Sequence, residues 1–277
     1  MNILSLFDGI SCGQIALERA NIKYDNYFAS EIDRHAIKVT QDNYPDTIQL
    51  GDVLEINSND LPKIDLLIGG SPCQGFSFIG KGLNFDDLRS KLFFEFVRLL
   101  KETNPKYFLL ENVKMKKEYQ DIISQYLEVE PIIINSELVS AQSRKRLYWT
   151  NIPDISLPKD KLIYLDDIIN HDLNEYKIPT NWQKRVPSEL PTYCDPYNIR
   201  AITTNKSTTL RTNVNNGNMW VKTNKGYRNL TRIECEVLQT VPIGYTNIVS
   251  ENQSKKLLGN GWTVDIIVHM FKNIKDK

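Results

Sequence analysis

The chain has 277 residues, 41% hydrophobic and 25% charged, which is typical of one globular domain or of a domain with a smaller lobe. No apolar stretch is long enough for a membrane span, and the N-terminus MNILSLFDGIS contains an acid and lacks the basic leader of a signal peptide, so we expect a cytoplasmic protein. The formal net charge of zero excludes an overall polycation. The four cysteines form no CxxC pair and are expected to be reduced thiols, and the three histidines are far apart in the sequence, so no metal site is expected.

Short apolar runs alternate with segments of helical periodicity up to about residue 150. Strands are predicted at 2–7, 26–30, 47–50, 64–70, 106–113, 131–140 and 146–152, and helices at 13–20, 33–44, 89–102 and 119–128. This alternation predicts an α/β fold built on a mostly parallel, doubly wound sheet.

Residues 154–229 break the alternation, because they are rich in Asn, Thr and Pro and indicate short strands and turns. A helical pattern returns after this segment, where Thr231 and Glu234 have the spacing of a capping box. We therefore predict a larger domain from 1–153 and 230–277, interrupted by a small, irregular, strand-rich lobe.

Charge is unevenly distributed along the neutral chain. Residues 177–232 contain ten Lys and Arg against two acids. A solvated polar face is the ordinary explanation of a charge run, but an excess of this size within a neutral chain indicates that the segment binds a polyanion.

Candidate ligand contacts follow the first three predicted strands. The turn in LSLFDGISCG has glycines at 9 and 13, which bring backbone N–H groups close to a ligand, although such strand–helix turns are also common without one. Glu31 ends the second strand, where an acid can accept from ribose hydroxyls, and Asp52 follows the third, where it can accept from an adenine amino group. Without a phosphate-cradling lysine motif, this edge suits adenosine rather than a pyrophosphate.

Reactive groups follow the later strands of the same predicted sheet. Cys73 follows the fourth strand, Glu111 ends the fifth, and QSRKR at 142–146 lies near the end of the sixth. Parallel strands place their carboxyl ends along one edge, where such folds bind ligands. Each group alone also has a structural explanation: Cys73 could pack in the core, Glu111 could cap a helix, and the basic residues of QSRKR could lie on a solvated face. A thiol, a carboxyl and a guanidinium at one edge together predict a reaction site.

Eight motifs occur in order from residue 7 to residue 264: FDGISCG, SEID, GDV, GGSPCQGFS, LLENV, AQSRKRLYW, RNLTRIECEVLQTVPIGY and LLGNGWTV. In this order they resemble the DNA (cytosine-5) methyltransferases, and LFDGI, GGSPC, KLFFEFVRLL and KLLGNGWTV are similar to the catalytic domain of the eukaryotic de novo enzymes. Without a chromatin-reading domain, a free-standing bacterial or phage enzyme is expected. The resemblance implies a Rossmann-like, S-adenosylmethionine-dependent methyltransferase fold, with residues 154–229 as the target-recognition lobe.

The resemblance assigns the reaction chemistry to four residues. Cys73 is the implied nucleophile, whose thiolate adds to C6 of cytosine. Glu111 is implied to hold N3 and the exocyclic amine, and it must carry a proton as the thiolate adds. Arg146 is implied to donate to the cytosine O2, with Arg144 supporting the loop. C5 then takes the methyl group from S-adenosylmethionine, and loss of the C5 proton and of the cysteine regenerates the enzyme.

The resemblance also assigns the binding surfaces. The implied cofactor residues are Phe7, Asp8, Gly9, Ile10, Glu31, Ile32, Asp52, Val53, Pro72, Asn260, Gly261 and Trp262. Residues 74–89 are implied to form a mobile catalytic loop that helps to flip the target base out of the duplex. The implied DNA contacts are Gln74, Ser77, Lys81, Arg89, Arg200, Arg211 and Arg228, with the arginines of the basic segment reading guanines.

The implied partners are double-stranded DNA and, in a restriction-modification system, a cognate restriction endonuclease that acts separately. No membrane and no metal are expected.

Three alternative functions stay open. A tRNA cytosine-5 methyltransferase shares the PCQ and ENV chemistry, but that branch carries a CFT tripeptide that is absent from this sequence. A DNA-binding accessory subunit should have lost the nucleophile, and a nicotinamide-dependent oxidoreductase should have a glycine fingerprint.

Overall fold

The computed structural model describes residues 1–71, 88–173, 193–195, 200–202, 205–212, 220–223 and 226–275. The chain divides into two compact units. Unit 1 comprises Met1–Ile134, Lys145–Leu157 and Ile267–Lys277, and unit 2 comprises Asn135–Arg144 and Pro158–Ile266. The predicted division into a catalytic domain and a recognition lobe concerns function, and it stays a prediction.

Unit 1 contains the alternating strands and helices. The strands are β1 (Asn2–Leu6), β2 (Asn26–Ser30), β3 (Ile48–Gln49), β4 (Leu66–Gly69), β5 (Tyr107–Val113), β6 (Ile132–Asn135) and β7 (Lys145–Thr150). The helices are α1 (Cys12–Arg19), α2 (Arg34–Asn43), α3 (Leu88–Thr103) and α4 (Lys117–Leu127). Each strand and helix predicted in this part of the chain is therefore present.

The strands pair in the order β3-β2-β1-β4-β5-β7-β6. β1 is parallel to both β2 and β4, β2 is parallel to β3, and β4 is parallel to β5, whereas β7 runs antiparallel to β5. The predicted mostly parallel sheet is confirmed. The strand order reverses between β1 and β4, and open α/β sheets bind ligands at the carboxyl ends of strands beside such a reversal.

The last two strands differ from the prediction in length and direction. The strand predicted at 131–140 ends at Asn135, because the Asn135 side chain accepts from the N–H of Glu137 at 3.4 Å and starts a 3-10 turn. QSRKR therefore leads into the antiparallel strand β7, which begins at its fourth residue, Lys145, instead of ending a parallel strand. Since β7 runs against β5, its first residues still lie at the carboxyl end of β5, where Arg146 is opposite Val113.

The core of unit 1 explains why these apolar runs become strands. The four residues of β4, LLIG, are all buried, as expected for a parallel strand covered on both faces. The main hydrophobic cluster joins five strands to α3, and it includes Leu4, Leu6, Phe28, Leu67, Phe93, Phe96, Phe108, Leu110, Leu147 and Trp149. This packing holds the carboxyl ends of the strands at defined positions.

The first turn of α1 packs so closely against the sheet that only glycine fits at residue 13. A Cβ atom at Gly13 would lie 2.5 Å from Cδ1 of Ile68 and 2.6 Å from the hydroxyl oxygen of Tyr27. We expect Gly13→Ala to destabilise the protein by about 1–3 kcal/mol, the usual cost of overpacking, although alanine is the better helix former by about 1 kcal/mol. Urea denaturation measures the change, and a variant more stable than the wild type would contradict the close packing.

Unit 2 contains a second, smaller sheet. Its strands, β8 (Tyr193–Asp195), β9 (Arg200–Ile202), β10 (Trp220–Thr223) and β11 (Gly226–Asn229), pair antiparallel in the order β11-β10-β8-β9. This sheet confirms the predicted strand-rich lobe. The helices α5 (Arg232–Leu238) and α6 (Glu251–Asn260) follow, and α7 (Val264–Phe271) begins in unit 2 and ends in unit 1. The predicted capping box of Thr231 and Glu234 starts α5.

The helices of the two units are short or amphipathic. Within the described ranges of the chain, none is both long and apolar enough to cross a membrane.

Candidate active site

The loop after β1 has an unusual backbone. Phe7, Gly9 and Ser11 have φ angles of 56°, 61° and 52°, which lie in the left-handed region. Glycine adopts this region readily, whereas other residues do so at a cost of about 1–3 kcal/mol, and such residues cluster at functional sites. The N–H of Asp8 donates to the Ser30 carbonyl at 3.1 Å and ties the loop to β2. The loop therefore has a defined shape where the strand order reverses.

Glu31, directly after β2, organises two loops through its carboxylate. Oε2 accepts from the N–H of Gly9 at 2.8 Å, and Oε1 accepts from the N–H groups of Ile32 at 2.7 Å and Asp33 at 2.8 Å. Burial raises the pKa of the Glu31 carboxyl, and the three N–H donors offset only part of that rise. The predicted ribose-binding acid is thus oriented by backbone groups.

Asp8 is bonded through both carboxylate oxygens. Tyr27 donates its hydroxyl to Oδ1 at 2.8 Å, and Ser11 donates its hydroxyl to Oδ2. Burial raises the pKa of Asp8 against the effect of these hydroxyl donors, and burial followed by the charge of Asp8 raises the pKa of Tyr27 well above its usual value. Because the Tyr27 hydroxyl also lies against Gly13, the packing of α1 and the shape of the loop depend on the same ring.

The loop after β3 completes this edge of the sheet. Ser30 donates its hydroxyl to the Gly51 carbonyl at 2.8 Å, and the Asp52 side chain accepts from the N–H of Leu54 at 3.0 Å. Ile32, next to Glu31, is 74% exposed, so an apolar surface stands beside the acids. Carboxylates that can accept from hydroxyl and amino groups, beside an apolar surface, fit an adenosine group.

Two of the predicted cofactor residues have buried side chains. Ile10 is buried, and Val53 packs into the main hydrophobic cluster of unit 1. Contacts from these two residues to a ligand would therefore come from backbone atoms. Pro72, a third predicted cofactor residue, lies outside the described residues.

Glu111 and Arg146 lie together at the carboxyl end of β5. The Nε atom of Arg146 is 2.9 Å from Oε1 of Glu111, and each side chain is 11% exposed. The register explains the contact, because Glu111 is opposite Tyr148 and Arg146 is therefore its diagonal neighbour on the same face of the sheet. A carboxyl and a guanidinium side by side, with little solvent around them, can bind two adjacent polar atoms of one planar ring.

Asn112 lies within the LLENV motif, but the sequence alone assigns it no role in the site. Its buried Nδ2 donates to the carbonyl and hydroxyl oxygens of Ser71, both at 3.2 Å. Ser71 is the last described residue before the segment that carries Cys73. Asn112 therefore fixes the point from which the chain continues toward the predicted nucleophile. Its place beside Glu111 in a strand, where successive side chains face opposite sides, is the signal that could have identified it.

Several predicted contacts fall outside the described structure. Cys73, Gln74, Ser77 and Lys81 lie outside the described residues. The backbone of Arg89 is in α3 and that of Arg200 is in β9, but their side chains are outside the description. The roles of these six residues stay predictions. In the part of the chain that the structure covers, no group of three or more His, Cys, Asp and Glu is placed to hold a metal ion.

Arg144 is buried in unit 2. Its guanidinium donates twice to the Gly259 carbonyl, at 3.3 Å each, and once to the Gly261 carbonyl at 2.9 Å. These carbonyls lie at the C-terminal end of α6, where a positive charge is favourable. The arrangement is suited to supporting a loop, and a direct part of Arg144 in the chemistry stays a prediction.

Asn260, Gly261 and Trp262 follow at the same end of α6. Asn260 is exposed, and Gly261 and Trp262 are partly exposed, so a ligand can reach all three. Their contact with the cofactor stays a prediction.

Arg228 differs from its predicted role as a reader of guanine. It is 2% exposed, and its guanidinium forms a bidentate pair with Glu234, with Nη2 2.6 Å from Oε1 and Nη1 2.8 Å from Oε2. It also donates to the Asn170 carbonyl at 2.8 Å. A guanidinium so buried and so occupied cannot reach a base, so we assign Arg228 to the stability of unit 2. Arg211 is partly exposed, and its predicted DNA contact stays a prediction.

The sequence matches a family model described as C-5 cytosine-specific DNA methylase over residues 1–155 and 170–276. A curated relative, the Type II methyltransferase M.NgoBV of Neisseria gonorrhoeae, is 34% identical over 219 residues, which make up 69% of this chain and 52% of the relative. Curated relatives of this kind are matched over between 35% and 52% of their own length. The chain thus spans about half, or less, of the length of these proteins.

Solved structures resemble the whole described fold. A prophage-encoded DNA modification methyltransferase of E. coli superposes with a TM-score of 0.75 at 23% identity, over 99% of this chain and 98% of that one. The Dnmt2 methyltransferase of S. pombe superposes with a TM-score of 0.76 at 18% identity, over 98% and 97% of the two chains. At these identities the likeness concerns the fold alone, and it confirms the predicted methyltransferase fold.

Proposed function

Because the chain belongs to the C-5 cytosine-specific DNA methylase family, we propose that it transfers a methyl group from S-adenosylmethionine to C5 of cytosine in duplex DNA. The observation that carries this proposal is the Glu111–Arg146 pair, with 2.9 Å between Oε1 and Nε. In cytosine, the ring atom N3 is bonded to C2, which carries the exocyclic oxygen O2, so N3 and O2 lie side by side on one edge of the base. A carboxyl that faces N3 and the exocyclic amine and a guanidinium that faces O2 must therefore stand side by side, as these two groups do.

Cys73 is the proposed nucleophile. Its thiolate adds to C6 of cytosine, and Glu111 delivers a proton to N3, so that electron density moves to C5. S-Adenosylmethionine supplies an electrophilic methyl group when it is bound. After methylation, loss of the C5 proton and elimination of the Cys73 thiolate restore the aromatic base, and Glu111 recovers its proton from N3. Arg146 holds O2 throughout, and Arg144 supports the loop before β7.

The proposed cofactor site uses the loops after the first three strands. Glu31 accepts from the ribose hydroxyls, the exposed side chain of Ile32 packs against the adenine, and Asp52 accepts from the adenine amino group. The acids favour an uncharged adenosine over a nucleotide, because a phosphate would be repelled by them. The other residues proposed for this site are Phe7, Asp8, Gly9, Ile10, Val53, Pro72, Asn260, Gly261 and Trp262.

The proposed DNA contacts lie in two segments. Gln74, Ser77, Lys81 and Arg89 belong to the segment around the nucleophile, and Arg200 and Arg211 belong to the basic segment 177–232. We place the protein in a bacterial cytoplasm or a phage-infected host, with a cognate restriction endonuclease if it is part of a restriction-modification pair. The names of two curated relatives, a Type II methyltransferase and an orphan methyltransferase of a Bacillus phage, support both settings.

Bisulfite sequencing of plasmid DNA from cells that express the chain tests the proposal. We expect 5-methylcytosine in one short sequence context and none in plasmid DNA from cells with an empty vector. Methylation of tRNA but not of DNA by the purified protein would change the substrate to tRNA. Binding of a nicotinamide cofactor without any affinity for S-adenosylmethionine would overturn the reaction class.

Glu111→Gln is expected to lower the rate of methyl transfer by about 10²–10⁴-fold, because the amide keeps the shape of the side chain but cannot deliver a proton. Glu102→Gln is the matched control, since Glu102 is a surface acid of unit 1 that also pairs with an arginine, Arg98, at 2.8 Å. Incorporation of tritiated methyl groups into DNA measures both variants. Equal rates in the two would remove Glu111 from the proton transfer.

A further inference from the structure

Two buried glutamines of unit 2 link segments that are far apart in the chain. Nε2 of Gln142 donates to Oε1 of Gln239 at 3.1 Å and to the Leu238 carbonyl at 3.1 Å. Oε1 of Gln142 accepts from the N–H of Leu210 at 2.8 Å. Buried amides are costly unless they are hydrogen-bonded, so this satisfied pair imposes a specific arrangement on the backbone around it.

Gln239 extends the network to the segment at the end of α6. Its Nε2 donates to the carbonyls of Leu258 at 2.5 Å and Gly261 at 3.2 Å, and its Oε1 accepts from the Thr263 hydroxyl at 3.0 Å. Its own backbone carbonyl accepts from the N–H of Val264 at 3.0 Å. One residue therefore fixes four positions of this short segment.

The Gly261 carbonyl is the point where two motifs meet. It accepts from Nε2 of Gln239 and also from Nη2 of Arg144, at 3.2 Å and 2.9 Å. Arg144 and Gln142 belong to the same QSRKR motif. That motif thus reaches the end of α6 by two routes, directly through Arg144 and indirectly through the two glutamines.

We propose that Gln239 is a positioning residue that couples cofactor binding at 260–262 to the placement of Arg146. The inference rests on the proposed function, in which residues 260–262 contact the methionine part of the cofactor and Arg146 contacts the base. Arg146 follows Arg144 by two residues, so a ligand that shifts the Gly261 carbonyl also shifts the anchor of the base-binding arginine. Such coupling is reciprocal, so DNA and the cofactor must each strengthen binding of the other by the same factor.

Calorimetry with S-adenosylhomocysteine tests the coupling. Its affinity is measured without DNA and with a duplex that carries the sequence context found by bisulfite sequencing. We expect a roughly 5–150-fold difference for the wild type, the usual range of coupling between sites. Gln239→Ala should bind S-adenosylhomocysteine roughly tenfold more weakly and lose most of that difference, because two donated hydrogen bonds to the segment are removed. Gln142→Met keeps the volume of the side chain and should lose coupling in the same direction.

Thr246→Val is the matched control. Thr246 is also buried in unit 2, and its hydroxyl bonds to Glu236 of α5 at 2.5 Å and to Ser254 of α6 at 2.6 Å. Breaking this second network should lower the melting temperature, as Gln239→Ala also should, but should leave the coupling at the wild-type value. The comparison therefore separates a loss of positioning from a general loss of stability.

The outcomes distinguish this inference from the proposed function. Three outcomes would overturn the inference and leave the methyltransferase proposal standing. The coupling could be unchanged in folded Gln239→Ala, it could be lost equally in Thr246→Val, or the affinity of the wild type for S-adenosylhomocysteine could fail to respond to DNA. A wild type that binds no S-adenosylhomocysteine would contradict the methyltransferase proposal and the inference together. If Gln239→Ala does not fold, Gln142→Met decides the question by the same measurement.

Discussion

Cys73→Ser is expected to reduce methyl transfer below detection while the affinity for S-adenosylhomocysteine stays at the wild-type value. A cysteine thiol has an ordinary pKa of about 8.5, so a usable fraction is thiolate near neutral pH, whereas a serine hydroxyl stays protonated. The residues proposed to hold adenosine, Glu31 and Asp52, follow other strands and are unaffected by the change. Incorporation of tritiated methyl groups measures transfer, and calorimetry measures cofactor-product binding.

Cys235→Ser is the matched control, because it makes the same chemical change at a thiol that cannot react. Cys235 is fully buried in α5, and burial raises the pKa of its thiol to about 12. The control should methylate DNA at close to the wild-type rate when both proteins are assayed below their melting temperatures. Turnover by Cys73→Ser at the rate of this control would show that another group attacks C6.

Arg228→Met is expected to destabilise the protein by about 3–5 kcal/mol, the usual cost of removing one partner of a buried ion pair. Without Arg228, Glu234 stays in a site where its side chain is 2% exposed and loses donors at 2.6 and 2.8 Å. Urea denaturation at neutral pH, followed by circular dichroism, measures the free energy of unfolding.

The double variant Arg228→Met/Glu234→Gln separates charge from packing. It removes both charges and keeps one side-chain oxygen. That oxygen can accept from the N–H of Thr231 or from that of Asn170, but not from both, because these groups donate to different oxygens of Glu234. We expect the double variant to recover part of the stability that the single variant loses. An equal loss in the two variants would mean that packing around Arg228, and not the ion pair, sets the cost.

The same pair predicts a loss of stability in acid. Burial by itself would raise the pKa of Glu234, but the donors on Arg228, Thr231 and Asn170 outweigh burial and hold the pKa below its usual value. In the unfolded chain a glutamate titrates at about pH 4.3. The contribution of Glu234 is therefore complete above that pH and is lost as the pH falls through the lower folded-state pKa. The double variant should show a shallower decline than the wild type in denaturation below about pH 4.

Most of the fold can be predicted from the sequence because buried parallel strands are short, continuous apolar runs. The residues of β4, LLIG, and the start of β5, YFLL, are of this kind. Parallel strands bring their carboxyl ends to one edge of the sheet. Glu31, which follows β2, and Glu111, which lies near the end of β5, can therefore be assigned to that edge from their positions in the chain alone.

The features that could not be predicted have physical reasons. Hydrophobic periodicity does not encode strand direction, so the antiparallel pairing of β7 with β5 is invisible in it. The helix α6 begins with the polar run ENQSKK and lacks a long apolar period. Neither the charge of the basic segment nor the family resemblance distinguishes a free arginine from a paired one, so both favour a DNA contact for Arg228, whose partner is Glu234, six residues later. The spacing of Thr231 and Glu234 predicts the capping role of Glu234, but its second role as an ion-pair partner depends on the position of β11.

The ion pair between β11 and α5 also limits how the proposed recognition lobe can be exchanged between relatives. Arg228 is near the end of the basic segment, and Glu234 lies in the helix that follows it. A chimera joined before Arg228 inherits both charges from one parent. A chimera joined between the two residues takes them from different parents, and a mismatch leaves a single charge in a dry interior. Transplanted lobes should therefore be cut on the N-terminal side of Arg228, so that the pair is inherited as a unit.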